Sequence, residues 1–335
     1  MPSLEEDRDA LLASLRKLES CAVAFSGGVD SAVVAKAAVL ALGTRAIAVT
    51  AVSPSLAAGE RELAREVARQ IGIRHVELPT AELANPKYVQ NAPDRCYHCK
   101  TELYTELGRH LATLGVAAIA NGANADDLGD WRPGMRAATE HQVHSPLAEC
   151  GIGKARVREL ARHWNLPVWD KPASPCLASR IAYGEEVTPQ RLAMIEAAER
   201  LLAQHGLTPL RVRYHRGDLA RIEVPLALLP RLCEPALRQV VCDELTRLGF
   251  KFITLDLGGF RSGSLNRLLE LPPPPASPAT PGRMAPGHPP PGHRGRRPVP
   301  ARAAAGTRHP HPLPTRGRGI EPEIRLTALT YQTLI

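Results

Sequence analysis

The stretch Cys21-Ala22-Val23-Ala24-Phe25-Ser26-Gly27-Gly28-Val29-Asp30-Ser31 decides the architecture. CAVAF is an unbroken apolar run, too short for a helix and suited to a strand buried on both faces. Two glycines follow, and then an apolar, alanine-rich segment from Ser31 to Leu42, with Gly43 where a helix would end. A strand that turns tightly into a helix presents the helix's unpaired N–H groups and the positive end of its dipole, which favour a polyphosphate. Ser26 and Ser31 add hydroxyl donors, Gly27 and Gly28 permit close backbone approach, and Asp30 can hold Mg²⁺ against the phosphates. These five residues are the expected ATP site. A Walker A loop is excluded, because it needs a lysine before its last hydroxyl residue and wider glycine spacing.

Outward from this turn the pattern repeats. Leu4, Leu11, Leu12, Leu15 and Leu18 form one face of an opening helix. Ala46–Val52 predicts a second buried strand, Gly59–Ile71 an amphipathic helix and His75–Leu78 a third strand. Asp94–Leu114 predicts a long helix ended by Gly115, Val116–Ala120 a fourth strand, and Lys154–Trp164 a further helix. Strands alternating with helices predict a doubly wound α/β fold on a parallel sheet, with its ligand beyond the carboxyl ends of the strands.

The pattern changes after about Pro167. Asp170–Tyr183 has little periodicity and reads as an ordered loop. A helix at Pro189–His205, strands at Leu210–Tyr214 and Leu219–Val224, a helix near Glu234–Leu248 and a strand at Phe252–Leu257 predict a smaller α+β domain. The expected division is 1–170 for the nucleotide-binding domain, 171–187 for a cysteine loop, 188–270 for a substrate or oligomerisation domain, and 271–335 for a disordered tail.

The net charge of +8 is unevenly placed. Leu271–Ile335 carries 9 arginines, no lysine, and only Glu321 and Glu323 as acids, whereas the first 270 residues hold 33 basic and 32 acidic groups. That tail also has 16 of the 31 prolines and no apolar periodicity, so it cannot bury enough surface to offset its ordering entropy. A near-neutral folded region argues against a nucleic-acid partner. The charged N-terminus and the lack of any run able to cross a bilayer lead to the expectation of a cytoplasmic protein with no membrane partner. Seven cysteines without an export signal favour thiols used for packing, metal or catalysis over a disulfide framework.

Three of those cysteines stand in chemically pointed surroundings. Cys96 and Cys99 form a C-x-x-C pair in Arg95-Cys96-Tyr97-His98-Cys99-Lys100, at the start of a predicted helix. Alone, such a pair reads as metal or cluster ligands, a redox pair, or neither; zinc would want two more ligands, and no second C-x-x-C or H-x₃-H is present. Cys176 lies in the irregular segment Lys171–Arg180 (KPASPCLASR), where Lys171 and Arg180 are cations of the kind that favour a thiolate. Three thiolates from Cys96, Cys99 and Cys176 can hold a 4Fe–4S cluster and leave one iron open. Cys21, Cys150, Cys233 and Cys242 read as packing residues.

Weaker candidates complete the set. Arg211 and Arg213 alternate on a predicted strand, so both face one side and could clamp a substrate phosphate; a solvated strand face is the plainer reading. Ser179 and Arg180 follow the reactive cysteine and could contact the same nucleotide. Asp126 and Asp127 could bind Mg²⁺ or order the loop after the fourth strand.

SGGVDS in this setting resembles the PP-loop of the ATP pyrophosphatases, which split ATP between the α and β phosphates. Four further segments accompany it in order: NGANADDLGDWRPGMRAA (Asn121–Ala138), WDKPASPCLASRIAYG (Trp169–Gly184), RVRYH (Arg211–His215) and TLDLGGFRSG (Thr254–Gly263). Together, from Ala22 to about Gly263, they resemble the LarE family of ATP-dependent sulfur transferases, which help build the nickel-pincer nucleotide cofactor. The resemblance implies an adenine nucleotide alpha hydrolase-like fold, ATP with Mg²⁺, and a homo-oligomer. Its implied substrate is pyridinium-3,5-biscarboxylic acid mononucleotide, one carboxylate of which is adenylated with release of pyrophosphate. It also implies that Cys176 is the catalytic thiol. In one-cysteine members that sulfur is given up and dehydroalanine remains; in three-cysteine members a 4Fe–4S cluster delivers sulfide. Cys96 and Cys99 align this chain with the second form. Two rivals share the loop: a PP-loop tRNA thiolase, which needs a basic RNA surface, and an amide-forming ATP pyrophosphatase, which needs no reactive Cys176.

Overall fold

Alternation within the central strands explains the layering. In the computed structural model, which describes residues 2–129, 133–261 and 264–266, β1 (Cys21–Ala24), β2 (Ala46–Val52), β3 (Arg74–Pro79) and β4 (Ala118–Ala120) form a parallel sheet in the order β3-β2-β1-β4. Cys21, Val23, Ala46 and Ala48 point to one face, where Leu11 and Leu15 of α1 (Leu4–Arg16), Val33 of α2 (Val29–Leu42) and Val67 of α3 (Ala58–Ile71) cover them. Ala22, Ile47, Val49 and Ile119 point to the other face, against Leu103 and Leu107 of α4 (Arg95–Leu114) and Ala137 of α5 (Pro133–Glu140). Burial on both faces is why these strands read as continuous apolar runs. Val157 and Leu160 of α6 (Lys154–His163) join the first layer.

The remaining elements build a second sheet. After α7 (Pro189–Gln204), β5 (Arg211–His215) runs antiparallel to β6 (Leu219–Glu223). Following α8 (Pro235–Arg247), β7 (Phe252–Leu255) pairs in parallel with β6. Val212, Tyr214, Ala220 and Ile222 pack on Ile195 and Leu202 of α7 and Leu245 of α8, and the same core takes in Leu177 and Ile181 of the cysteine loop. That loop is therefore seated in the second core, and Ala182 N–H donates to Tyr214 O at 2.9 Å in an isolated parallel bridge alongside β5.

The predicted α/β fold with a smaller C-terminal sheet is the one observed. The helix after β1 starts two residues earlier than the sequence pattern suggested, so Asp30 lies in its first turn. The fourth strand is shorter than predicted, and α5 was concealed in a segment without clear periodicity. The described residues form one compact unit, and among them no helix is long and apolar enough to cross a membrane. The segment 271–335, expected to be a disordered tail, lies outside the described residues.

Candidate active site

The turn after β1 is shaped by its glycines. Gly27 has φ +70°, and a Cβ there would come within 2.8 Å of Ala64 Cα in α3, so conformation and space both demand glycine. Gly28 is the N-cap of α2. Two hydroxyls close the loop: Ser26 N–H donates to Ser31 Oγ at 3.2 Å, Gly28 N–H donates to Ser26 Oγ at 3.3 Å, and Ser31 Oγ donates to Gly28 O at 3.1 Å. The first-turn N–H groups of α2 have no acceptor within the helix, which suits an anion. From the other side Gly122, just after β4, packs on this turn; a Cβ on it would lie 2.7 Å from Ser31 N.

The acidic groups are already engaged. Asp30 forms an ion pair with Lys154, the first residue of α6, and accepts from Asn124 Nδ2 at 3.1 Å. Asp126 accepts from Lys154 N–H at 2.8 Å. Asp127 is buried, and its carboxylate accepts from Asn124 N–H at 3.0 Å. Of the two roles open to Asp126 and Asp127 in the sequence, these contacts are those of loop ordering.

A cavity of about 810 Å³ is lined by Ser26 of the phosphate loop, by Cys96, Cys99 and Cys176, and by Ser179, Arg180 and Arg211. Residues from Ser26 to Arg211 in sequence thus meet around one space. Cys96 and Cys176 are exposed and Cys99 is partly buried. Burial, and next the neighbouring Cys176, pushes the Cys99 thiol up to about 12, so it is neutral at physiological pH. Cys176 precedes a single helical turn, Leu177–Arg180. Its carbonyl accepts from Ser179 N–H at 3.0 Å, Ser179 Oγ at 2.7 Å and Arg180 Nη1 at 3.0 Å. Leu177 N–H donates to Ser55 O at 2.9 Å, and Arg95 Nη1 donates to Ala178 O at 2.7 Å. The backbone on either side of the thiol is pinned while the thiol itself is open.

The arginines divide by what faces them. Arg180 makes a bidentate contact with Glu199, both bonds at 3.1 Å, so its buried guanidinium holds the loop rather than presenting free donors to a nucleotide. Lys171 pairs with Glu60 at 2.5 Å. The two cations expected to bias Cys176 are therefore each matched to a carboxylate, while Arg95 and Lys100 line the cavity beside the C-x-x-C pair. Arg213, expected to clamp a phosphate alongside Arg211, is instead buried on Glu223 Oε2 at 3.1 and 3.0 Å and donates to Ser179 O at 3.1 Å. The reason is Glu223, fully buried on the paired strand and also bonded by Arg221 at 3.0 Å and Ser264 Oγ at 2.6 Å. Arg211 alone of this pair lines the cavity. Burial, and then the like charge of Arg180, lowers it to about 10, a setting in which a bound anion is favoured.

Sequence reasoning missed Arg95, Lys154 and Glu199. Arg95 adjoins the C-x-x-C pair and Lys154 follows a glycine at a helix start, both readable signals; Glu199, mid-helix, gave none. Among the described residues, no group of three His, Cys, Asp or Glu side chains is close enough to hold a single metal ion.

Comparison with known proteins accords with this geometry. A family model described as asparagine synthase matches residues 8–107, which spans the phosphate loop and the C-x-x-C pair but stops short of Cys176. An uncharacterized protein of Synechocystis is 44% identical over 266 residues, 79% of this chain and 99% of that protein. An uncharacterized protein of Methanocaldococcus jannaschii is 28% identical over 240 residues, 72% of this chain and 90% of its own. The pyridinium-3,5-bisthiocarboxylic acid mononucleotide synthase of Lactiplantibacillus plantarum is 37% identical over 271 residues, 80% of this chain and 97% of that enzyme. Similarity of that extent, over four fifths of this chain and nearly all of that enzyme, means that the chain belongs to the LarE family of PP-loop proteins.

Proposed function

We propose that the protein is an ATP-dependent sulfur transferase that converts a carboxylate of pyridinium-3,5-biscarboxylic acid mononucleotide into a thiocarboxylate, in a homo-oligomeric assembly of the kind the family resemblance implies. In this reading residues 1–170 bind ATP, 171–187 present the thiol, and 188–270 contribute the substrate contacts. One observation carries it: a single cavity is lined by Ser26, by all three cysteines and by Arg211.

A carboxylate is a poor electrophile, and adenylation gives it a leaving group. A carboxylate oxygen attacks the α-phosphorus, the α–β anhydride bond breaks, and its electron pair leaves with pyrophosphate. Ser26, Gly27, Gly28 and Ser31 cradle the phosphates with N–H and hydroxyl donors at the positive end of α2. Arg211 holds the substrate's phosphate or its second carboxylate, regaining the counter-charge it lacks. Leu56, Ala57 and Ala58 give the cavity an apolar wall that limits hydrolysis of the acyl-adenylate. The acyl carbon then accepts sulfur, and AMP departs.

Cys96, Cys99 and Cys176 would hold the sulfur source. Each cysteine of a 4Fe–4S cluster binds a different iron, so thiols spread around a cavity wall suit a cluster where they do not suit one ion. Such a cluster, when bound, supplies sulfide at the iron that lacks a protein thiolate. Cys99, a neutral thiol at rest, would lose its proton on ligation.

The test is pyrophosphate release with the pyridinium biscarboxylate against tRNA. Release with the small substrate only, with thiocarboxylate formation lost in Cys176→Ala, is the expected result; release stimulated by tRNA alone would overturn the reading. For the cluster, anaerobically reconstituted protein should absorb in the iron–sulfur range, and Cys96→Ala/Cys99→Ala should abolish both that absorption and repeated turnover. Full activity of the double variant would refute the three-cysteine form.

A further inference from the structure

Three arginines of this site are buried to nearly the same degree, Arg95 at 5%, Arg180 at 5% and Arg213 at 6% exposure. Two of them meet carboxylates, Arg180 on Glu199 and Arg213 on Glu223. Arg95 is different: among the described residues its partners are neutral oxygens, Asn91 Oδ1 and, at 2.7 Å, Ala178 O. The acids nearest to it in sequence are turned elsewhere. Asp94, half-exposed, reaches His98 at 3.4 Å, and the buried Glu82 accepts from Ser53 Oγ. Asn91 is fully buried and spends its own amide group on the carbonyls of Ile181, Ala182 and Glu185, at 3.2, 2.9 and 3.0 Å. A guanidinium taken out of water without an opposite charge is costly, and this side chain does not shed its proton. The ionisable groups around it are the thiols of Cys176 and Cys96 and the phenols of Tyr88 and Tyr183. Arg95, all three thiols and Tyr88 line the same cavity. A fixed, buried cation among thiols makes that part of the cavity a place for an anion.

We infer that Arg95 is the counter-ion of the anionic sulfur carrier held by Cys96, Cys99 and Cys176, and a positioning residue for Cys176. This rests on the cluster reading above. A cluster on three thiolates is an anion, and reduction adds negative charge, so a fixed cation beside it raises its potential. The planar fork of arginine lets one side chain serve two ends. Nη1 stays on Ala178 O and so ties α4, which carries the C-x-x-C pair, to the loop that follows Cys176. Among the described residues its bonds use Nη1 alone, which leaves the other N–H groups of the fork for the anion. Arg180 and Arg213 hold the same loop, but their charges are already matched.

The experiment reconstitutes wild type, Arg95→Met, Arg95→Gln and Arg95→Lys anaerobically, with thermal melts as the check on folding. It then compares them by dye-mediated reductive titration and by the rate of iron loss to a chelator. Loss of the counter-charge predicts a more negative potential in Arg95→Met, by about 59 mV for a tenfold change in a one-electron equilibrium. Iron loss should be about tenfold faster. Arg95→Gln keeps a hydrogen-bond donor without the charge and should behave as Arg95→Met does, whereas Arg95→Lys should recover part of both effects. Should Arg95→Met not fold, the contrast between Arg95→Gln and Arg95→Lys carries the test by itself. A wild-type potential in Arg95→Met would overturn the inference, and so would equal recovery in Arg95→Gln and Arg95→Lys, the mark of a structural tie. A wild-type protein without iron–sulfur absorption would instead sink the three-cysteine cluster reading, and the counter-ion with it.

Discussion

Arg211 and Arg213 sit two residues apart on β5, and the groups opposite them give them different tasks. Arg213 finds a fully buried carboxylate, Glu223, at 3.0 Å, whereas Arg211 is half-buried over the Phe260 ring at 5.2 Å with a like charge nearby. Removing one partner of a buried pair strands the other charge. Arg213→Ala should therefore cost about 3 kcal/mol of stability in a urea melt. Arg211→Ala should leave stability nearly untouched and raise KM for the mononucleotide by about tenfold, with KM for ATP unchanged. Equal effects of the two variants on stability and on KM would show that the division is mistaken.

At the scale of elements, the turn that joins β1 to α2 depends on contacts with its neighbours. Gly122 is the sharpest case, because a methyl group there would press on Ser31 N at 2.7 Å, a backbone atom that cannot step aside. Gly122→Ala should cost about 1–3 kcal/mol and weaken ATP binding, as denaturant melts and nucleotide titration would register; a variant with wild-type values for both would refute the packing argument. The phosphate loop itself was legible because its strand, glycines and helix are contiguous. So were β1, β2 and α3, whose periodicity follows directly from which faces they bury. Three features escaped. α5 is short, and Asn121–Ala138 mixes polar loop residues with alanines. The engagement of Asp30 by Lys154 joins residues far apart in sequence. The separation of Arg211 from Arg213 turns on Glu223, which lies on a different strand, so alternation along β5 could not reveal it.

At the scale of the whole molecule, acid should loosen the sheet edge first. Glu77 on β3 accepts from Arg61 at 3.1 and 2.6 Å and from Arg65 at 2.7 and 2.9 Å, which fastens the edge strand to α3. Hydrogen bonds from Arg61 and then Arg65 hold its carboxyl down at about 2, against an ordinary value of 4.5. A depressed folded-state pKa contributes stability above the unfolded value and loses it as pH falls toward the folded one. The stability difference between wild type and Glu77→Gln should therefore be about 1 kcal/mol near neutrality, since the cluster is partly solvated. It should shrink below pH 4.5 and vanish near pH 2. A gap that stays constant across that range in pH-dependent melts would contradict the assignment.

The pinned backbone around Cys176 has a consequence for the life of the molecule. Ser55, Arg95, Arg180 and Arg213 all grip main-chain atoms of the segment Pro175–Ser179, and none of these grips involves the sulfur. The sulfur can therefore be altered while the segment that carries it stays rigid. A copy whose Cys176 thiol had been oxidised, or replaced as in Cys176→Ala, would keep its shape and its phosphate-loop turn, and would persist as a folded blank among working copies.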